Sequence, residues 1–115
     1  MSDAVKMPEA EYRALVQGVY DRILKQLDQV DPDAVEAEMS QGTLSLRLAD
    51  GARWILSGQP PVRQLWLAVA SKGRAFHFDY DPRSATWRDD KGEGVELFGC
   101  LESLLDEVAQ VRVKF

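Results

Sequence analysis

The stretch GQPPVRQLWLA, residues 58–68, decides the fold. Two prolines open what reads as a strand, and the residues after them alternate. Leu65, Leu67 and Val69 share one side, while Gln64, Trp66 and Ala68 share the other. Such a strand belongs to a sheet with one covered face and one wet face. The side carrying the glutamine should meet water, yet it also carries a tryptophan. The alternation therefore predicts the sheet and raises the question of what meets its open face.

The same period extends in both directions. Upstream, Val35, Ala37 and Met39 alternate with Glu36 and Glu38, and Leu44, Leu46 and Leu48 alternate with Ser45 and Arg47. Asp50-Gly51 is a hairpin signal, followed by Trp54 and Leu56 with Arg53, Ile55 and Ser57 opposite. Downstream of a turn at Lys72-Gly73, Phe76, Phe78 and Tyr80 alternate with His77 and Asp79. Asp81-Pro82 breaks the chain, and a short strand near residues 85–88 ends at the polar loop DDKGEG.

Helical spacing brackets these strands. Tyr12, Leu15, Val16, Val19, Ile23, Leu27 and Val30 recur at three- and four-residue steps and predict a helix over about residues 8–29. Pro8 suits its first turn, Asp21 and Lys25 are spaced to pair on its wet side, and Asp31-Pro32 ends it. Leu97, Leu101, Leu104, Leu105 and Val108 predict a second helix over about 95–109, with Glu93 and Glu96 near its positive end and VRVKF extended beyond it. Short turns between about six strands mean an antiparallel sheet, and two amphipathic helices cover only one of its faces. The fold class is α+β, a two-layer sandwich with both terminal helices on one face. Arg47, Ile55, Ser57, Gln64, Trp66 and His77 should line the other.

A chain of 115 residues suits one domain, 1–115, with a sizeable core. One cysteine excludes an internal disulfide and Cys-rich metal sites. No apolar run is long enough for a membrane span, and MSDAVKMPEAE lacks a signal peptide's apolar centre, so the expected location is the cytoplasm. The net charge of −5 resides in residues 1–40, which hold nine acids and four bases; residues 41–115 hold ten of each. Such a surface repels nucleic acid and anionic membranes and attracts cations or basic partners.

Phosphate-loop, zinc-helix and nucleophile-elbow patterns are absent from the sequence, and His77 is the single histidine. Three features remain. The run DQVDPDAVEAE, residues 28–38, reads either as a solvated acidic face or as a weak, unselective ridge for hard cations. Trp66 with Arg63, Gln64, Ile55 and His77 reads either as edge packing or as an interface anchor. Cys100, beside core positions of the second helix, reads as a small buried hydrophobe before a reactive thiol. His77 as a catalytic base lacks a visible partner.

The run QPPVRQLWLA, Gln59 to Ala68, resembles the signature of the frataxin family, and FHFD, Phe76 to Asp79, resembles its bacterial branch. The resemblance spans nearly the whole chain, including GTLSL at Gly42–Leu46, Trp87 and the leucine-rich last helix. It implies a non-enzymatic role: an iron-binding regulator of iron–sulfur cluster assembly that engages a cysteine desulfurase and its scaffold. It further implies weak binding of Fe²⁺ or Fe³⁺ on an acidic ridge made here of Asp21, Asp28, Asp31, Asp33, Glu36 and Glu38, with Glu9 and Glu11 as lesser members. Gln59, Arg63, Gln64 and Trp66 would be the open-sheet contacts to the scaffold. The protein would be a monomer that iron can assemble into oligomers. Departures from the pattern are Lys25, Gln26 and Gln29, where relatives often carry acids, and Ser57, where an asparagine is common. An iron chaperone or store is the alternative; a ferroxidase finds no Glu-x-x-His support.

Overall fold

The computed structural model describes residues 7–92 and 94–115. Glu93, expected near the start of the second helix, lies outside the described residues. The chain runs α1 (Glu9–Leu27), β1 (Val35–Ser40), β2 (Thr43–Leu48), β3 (Arg53–Gln59), β4 (Gln64–Val69), β5 (Arg74–Asp81), β6 (Thr86–Asp89) and α2 (Leu97–Ala109). The strands form one antiparallel sheet in chain order, β1 to β6. This is the two-layer sandwich that the alternation predicted, with both helices over the same face.

Local chemistry sets each boundary. Gln41 and Gly42 hold positive φ angles of 52° and 79°, which gives the two-residue β1–β2 loop the twist a tight hairpin needs. Asp50 Oδ1 accepts from the Ala52 amide at 2.9 Å and shapes the β2–β3 turn. The helix α2 begins two residues later than its spacing predicted. There Glu96 is the N-cap, its carboxylate accepting from the amides of Phe98 (2.9 Å) and Gly99 (3.0 Å).

One expectation fails at the stretch that opened the reading. Pro60–Val62 is a short 3-10 turn between β3 and β4, not the first part of a strand, and Arg63 follows it in the left-handed region. Proline fixes φ near the helical value and lacks an N–H for the ladder, so the prolines turn the chain and β4 starts only at Gln64.

The covered face carries Leu44, Leu46, Trp54, Leu56, Leu65, Leu67 and Phe78, all at most 3% exposed. Tyr12, Val16, Val19, Tyr20, Ile23 and Leu27 of α1 meet it, with Leu97, Leu101, Leu104 and Leu105 of α2. The tail beyond α2 packs between the helices. Phe115 lies beside Phe98, its N–H donates to Glu102 at 2.9 Å, and its carbonyl accepts from Arg22 of α1. No described helix is long and apolar enough to cross a membrane.

Candidate functional site

Register arranges the open face in rows across the strands. Ser57 faces Trp66, and Trp66 faces His77. Ile55 faces Ala68, which faces Ala75, and Gln59, Gln64, Asp79 and Arg88 form a further row. Glu36, Arg47 and Arg53 make the row at the other end. These side chains alternate with buried residues and so point away from the helices.

Trp66 sits half-buried at the centre of that face. Its ring stacks on the His77 imidazole, centroids 4.2 Å apart and planes 16° apart. Its indole N–H donates to Gln64 Oε1 at 2.8 Å. The Gln64 amide nitrogen in turn donates to Asp79 Oδ1 (3.1 Å) and Asp90 Oδ2 (3.2 Å). Asp90 Oδ2 lies 3.7 Å from His77 Nδ1. One face of the indole is thus covered by imidazole, and its polar edge is held by an amide that two carboxylates orient. An aromatic ring fixed this way presents contact area with little rotamer freedom left to lose on binding.

Gln59 belongs to the same face, its side chain donating to Ser57 Oγ at 3.3 Å. Arg63 does not, which corrects its expected place among the open-sheet contacts. Its left-handed backbone swings the side chain toward the helices. There Nε donates to the Met7 carbonyl at 2.9 Å, Nη1 donates to the Pro60 carbonyl, and the guanidinium lies 5.8 Å from the Tyr12 ring centre. Arg63 ties the proline turn to the start of α1.

The expected acidic ridge divides. Asp21 is exposed on α1 and accepts from Gln17 Nε2 at 2.8 Å, so its carboxylate is engaged by an uncharged neighbour as well as being spaced for Lys25. Asp28 caps the C-terminus of α1. Asp31 and Asp33 form the following turn, in which Asp31 Oδ1 accepts from the Asp33 amide at 2.9 Å. Glu36 and Glu38 leave β1 on the open face, where Glu36 pairs with Arg47. Strand alternation turns these two glutamates away from the α1 side, which is why one linear acidic run becomes several surfaces. Glu9 is held by Arg13 at 2.7 Å, which lowers its carboxyl pKa, and Glu11 is exposed. Among the described residues, no three Asp, Glu, His or Cys side chains converge as a metal site. The donor set is hard carboxylate oxygen, exposed and dispersed. It fits a hydrated cation held by one or two carboxylates, not an all-protein cage.

Two contributors escaped the sequence reading. Asp90 comes from the loop after β6, and only the β5–β6 register brings it beside His77. Tyr12 reads as a core residue, yet its hydroxyl donates to the Gln64 carbonyl (2.5 Å) and accepts from the Gln59 amide (2.8 Å), clamping the β3–β4 corner. A Cβ at Gly58 would lie 3.0 Å from that hydroxyl, so the glycine opening the quoted stretch makes room for the clamp. Cys100 is half-buried, and burial pushes its thiol up to about 11.

A six-stranded antiparallel sheet with one helical layer and an organised aromatic open face defines a small α/β sandwich. A frataxin-like domain model matches residues 5–111, and the chain belongs to the frataxin-like family. It is 37% identical over 111 residues to the iron-sulfur cluster assembly protein CyaY of Pseudomonas fluorescens, covering 96% of this chain and 97% of that one. It is 42% identical over 95 residues to CyaY of Pseudomonas aeruginosa, covering 83% of each. Frataxin from Psychromonas ingrahamii shares the fold at a TM-score of 0.83 and 23% identity, covering 94% of this chain and 97% of that one. A trimeric frataxin from Saccharomyces cerevisiae, described as complexed with ferrous, matches at a TM-score of 0.67 and 21% identity, covering 94% and 91%.

Proposed function

We propose that this protein regulates iron–sulfur cluster assembly, docking on the cysteine desulfurase and its scaffold and changing their rate in response to iron. The observation that carries the reading is the braced Trp66. A tryptophan stacked on His77 and hydrogen-bonded to Gln64 in the middle of an uncovered sheet face has the character of an interface anchor. The name shared by relatives at 37% and 42% identity supplies the process.

In this reading Gln59, Gln64 and Trp66 meet the scaffold, and Arg63 positions their turn from behind. Asp28, Asp31, Asp33, Glu36 and Glu38 meet a basic surface of the desulfurase and, with Asp21, hold Fe²⁺ loosely as cargo. The protein acts as one domain, in the cytoplasm, without chemistry of its own. Iron delivery is the second reading, favoured by the exposed carboxylates of Asp28 and Glu38.

The test is the anaerobic rate of cluster formation on the scaffold, with and without this protein, across Fe²⁺ concentrations. An iron-dependent change in rate is expected, and its sign names activator or inhibitor. Trp66→Ala should remove most of the change, and charge reversal at Glu36 and Glu38 should weaken desulfurase affinity with a steep salt dependence. No change in rate at stoichiometric protein leaves iron delivery in its place.

A further inference from the structure

The first strand of the sheet has an open edge, and its geometry is specific. The two-residue loop at Gln41-Gly42 makes Ser40 and Thr43 the hydrogen-bonded closing pair. By alternation, Glu36 and Glu38 direct their N–H and C=O groups to β2, while Ala37 and Met39 direct theirs outward. At the start of the strand the edge is already used: the outward Val35 amide donates to the Asp31 carbonyl at 3.2 Å. The open part is therefore residues 37–39, and β1 has no neighbour on that side among the described residues.

The two sides of this edge differ sharply. On the helix side lies a cleft of about 480 Å³ under the end of α1, lined by Leu24, Leu27, Val30, Pro32, Val35 and Ala37, with Lys25, Asp28 and Glu36 also on its wall. On the open-face side stand Glu36 and Glu38. The Glu36–Arg47 pair is exposed, 44% and 59% for the two side chains, so it can exchange partners at little cost. Acids on an edge ordinarily keep strands off it. They repel an acidic strand, disfavour a neutral one that would desolvate them unpaired, and attract a basic one.

We infer that the β1 edge takes an extended segment of a partner as a further strand, with apolar residues in the α1–β1 cleft alternating with Lys or Arg against Glu36 and Glu38. Main-chain bonds to Ala37 and Met39 supply registration, the cleft supplies apolar burial, and the glutamates select by charge. The inference deepens the desulfurase reading by giving the form of the docking segment; it rests on that reading for the partner's identity alone.

The probe is the synthetic peptide acetyl-KVRVKV-amide, with acetyl-EVDVEV-amide as control, and the readout is amide hydrogen exchange of the isotope-labelled protein. The basic peptide should slow exchange at Ala37 and Met39 by about tenfold or more, and the acidic one should not. Ala37→Pro removes an outward donor and should abolish the protection. Glu36→Lys with Glu38→Lys, which leaves the backbone donors intact, should lower basic-peptide affinity by about tenfold or more and reduce its salt dependence. Peptide binding without protection of these two amides, protection by both peptides alike, or protection that grows with protein concentration alone would each overturn the inference. The same variants go onto the desulfurase. If it binds the wild type and Ala37→Pro equally, edge pairing is wrong and docking stands. If it does not bind the wild type at all, docking falls and the peptide result decides the edge by itself.

Discussion

Trp54 and Trp66 stand on neighbouring strands of one sheet and live in opposite worlds. Trp54 is fully buried, between Leu46 of β2 and Val69 of β4. Trp66 is half-buried, between Ser57 and His77, with a hydrogen-bonded amide at its edge. The residue type is the same; the parity of the strand position differs. Trp54 joins the dense face under the helices, where its value is apolar area removed from water. Trp66 is braced by polar neighbours that hold the ring and cover only one of its faces. One tryptophan stabilises the fold, and the other keeps part of its ring open to solvent.

That contrast can be broken by mutation. Trp54→Ala should cost about 3–5 kcal/mol in denaturant unfolding, because it empties a fully buried site. A loss below about 1 kcal/mol would mean that the covered face is not the core. Tyr12→Phe should cost about 1–3 kcal/mol, since the Gln64 carbonyl and Gln59 amide lose their shared hydroxyl. Its unfolding midpoint should fall while the denaturant slope stays constant. Trp66→Ala should cost under about 1 kcal/mol yet lower scaffold affinity by about tenfold or more. The reverse result, large instability with normal binding, would make Trp66 a core residue and erase the comparison.

The smallest effect concerns Cys100, half-buried in the first turn of α2. Its thiol is pushed from 9.0 up to about 11 by burial, against the pull of Arg74. A raised folded pKa means that the neutral thiol is favoured in the fold. The contribution is fully present below pH 9.0 and is lost as pH rises toward about 11. Alkylation by iodoacetamide at pH 8 should therefore be markedly slower in the folded protein than in denaturant. Equal rates would show that Cys100 is as open as Trp66 and that the helix face is less closed than the packing implies.

The two faces were legible to different degrees. Alternation around Leu65, Phe76 and Leu44 marked both the strands and the covered face, because the side-chain period of a strand is local. The helical stripe through Tyr12, Val16 and Ile23 did the same for α1. Arg63 was misassigned because its direction depends on a left-handed backbone set by the proline turn and on acceptors at Met7 and Pro60. The acidic run read as one ridge because it is continuous in sequence; a helix end, a turn and a strand aim its members apart.

What the amino-acid order determined by itself is thus the element sequence, the sheet's buried side and the presence of a tryptophan on the other. These depend on periods of two and 3.6 residues that any short window contains. Tertiary structure alone decided that Asp90 joins Gln64, Asp79 and His77 around Trp66, that Tyr12 clamps the β3–β4 corner over Gly58, and that β1 keeps an open edge beside a cleft. Each is a meeting of residues distant along the chain. Strand register and helix placement bring them together, and no local period encodes either.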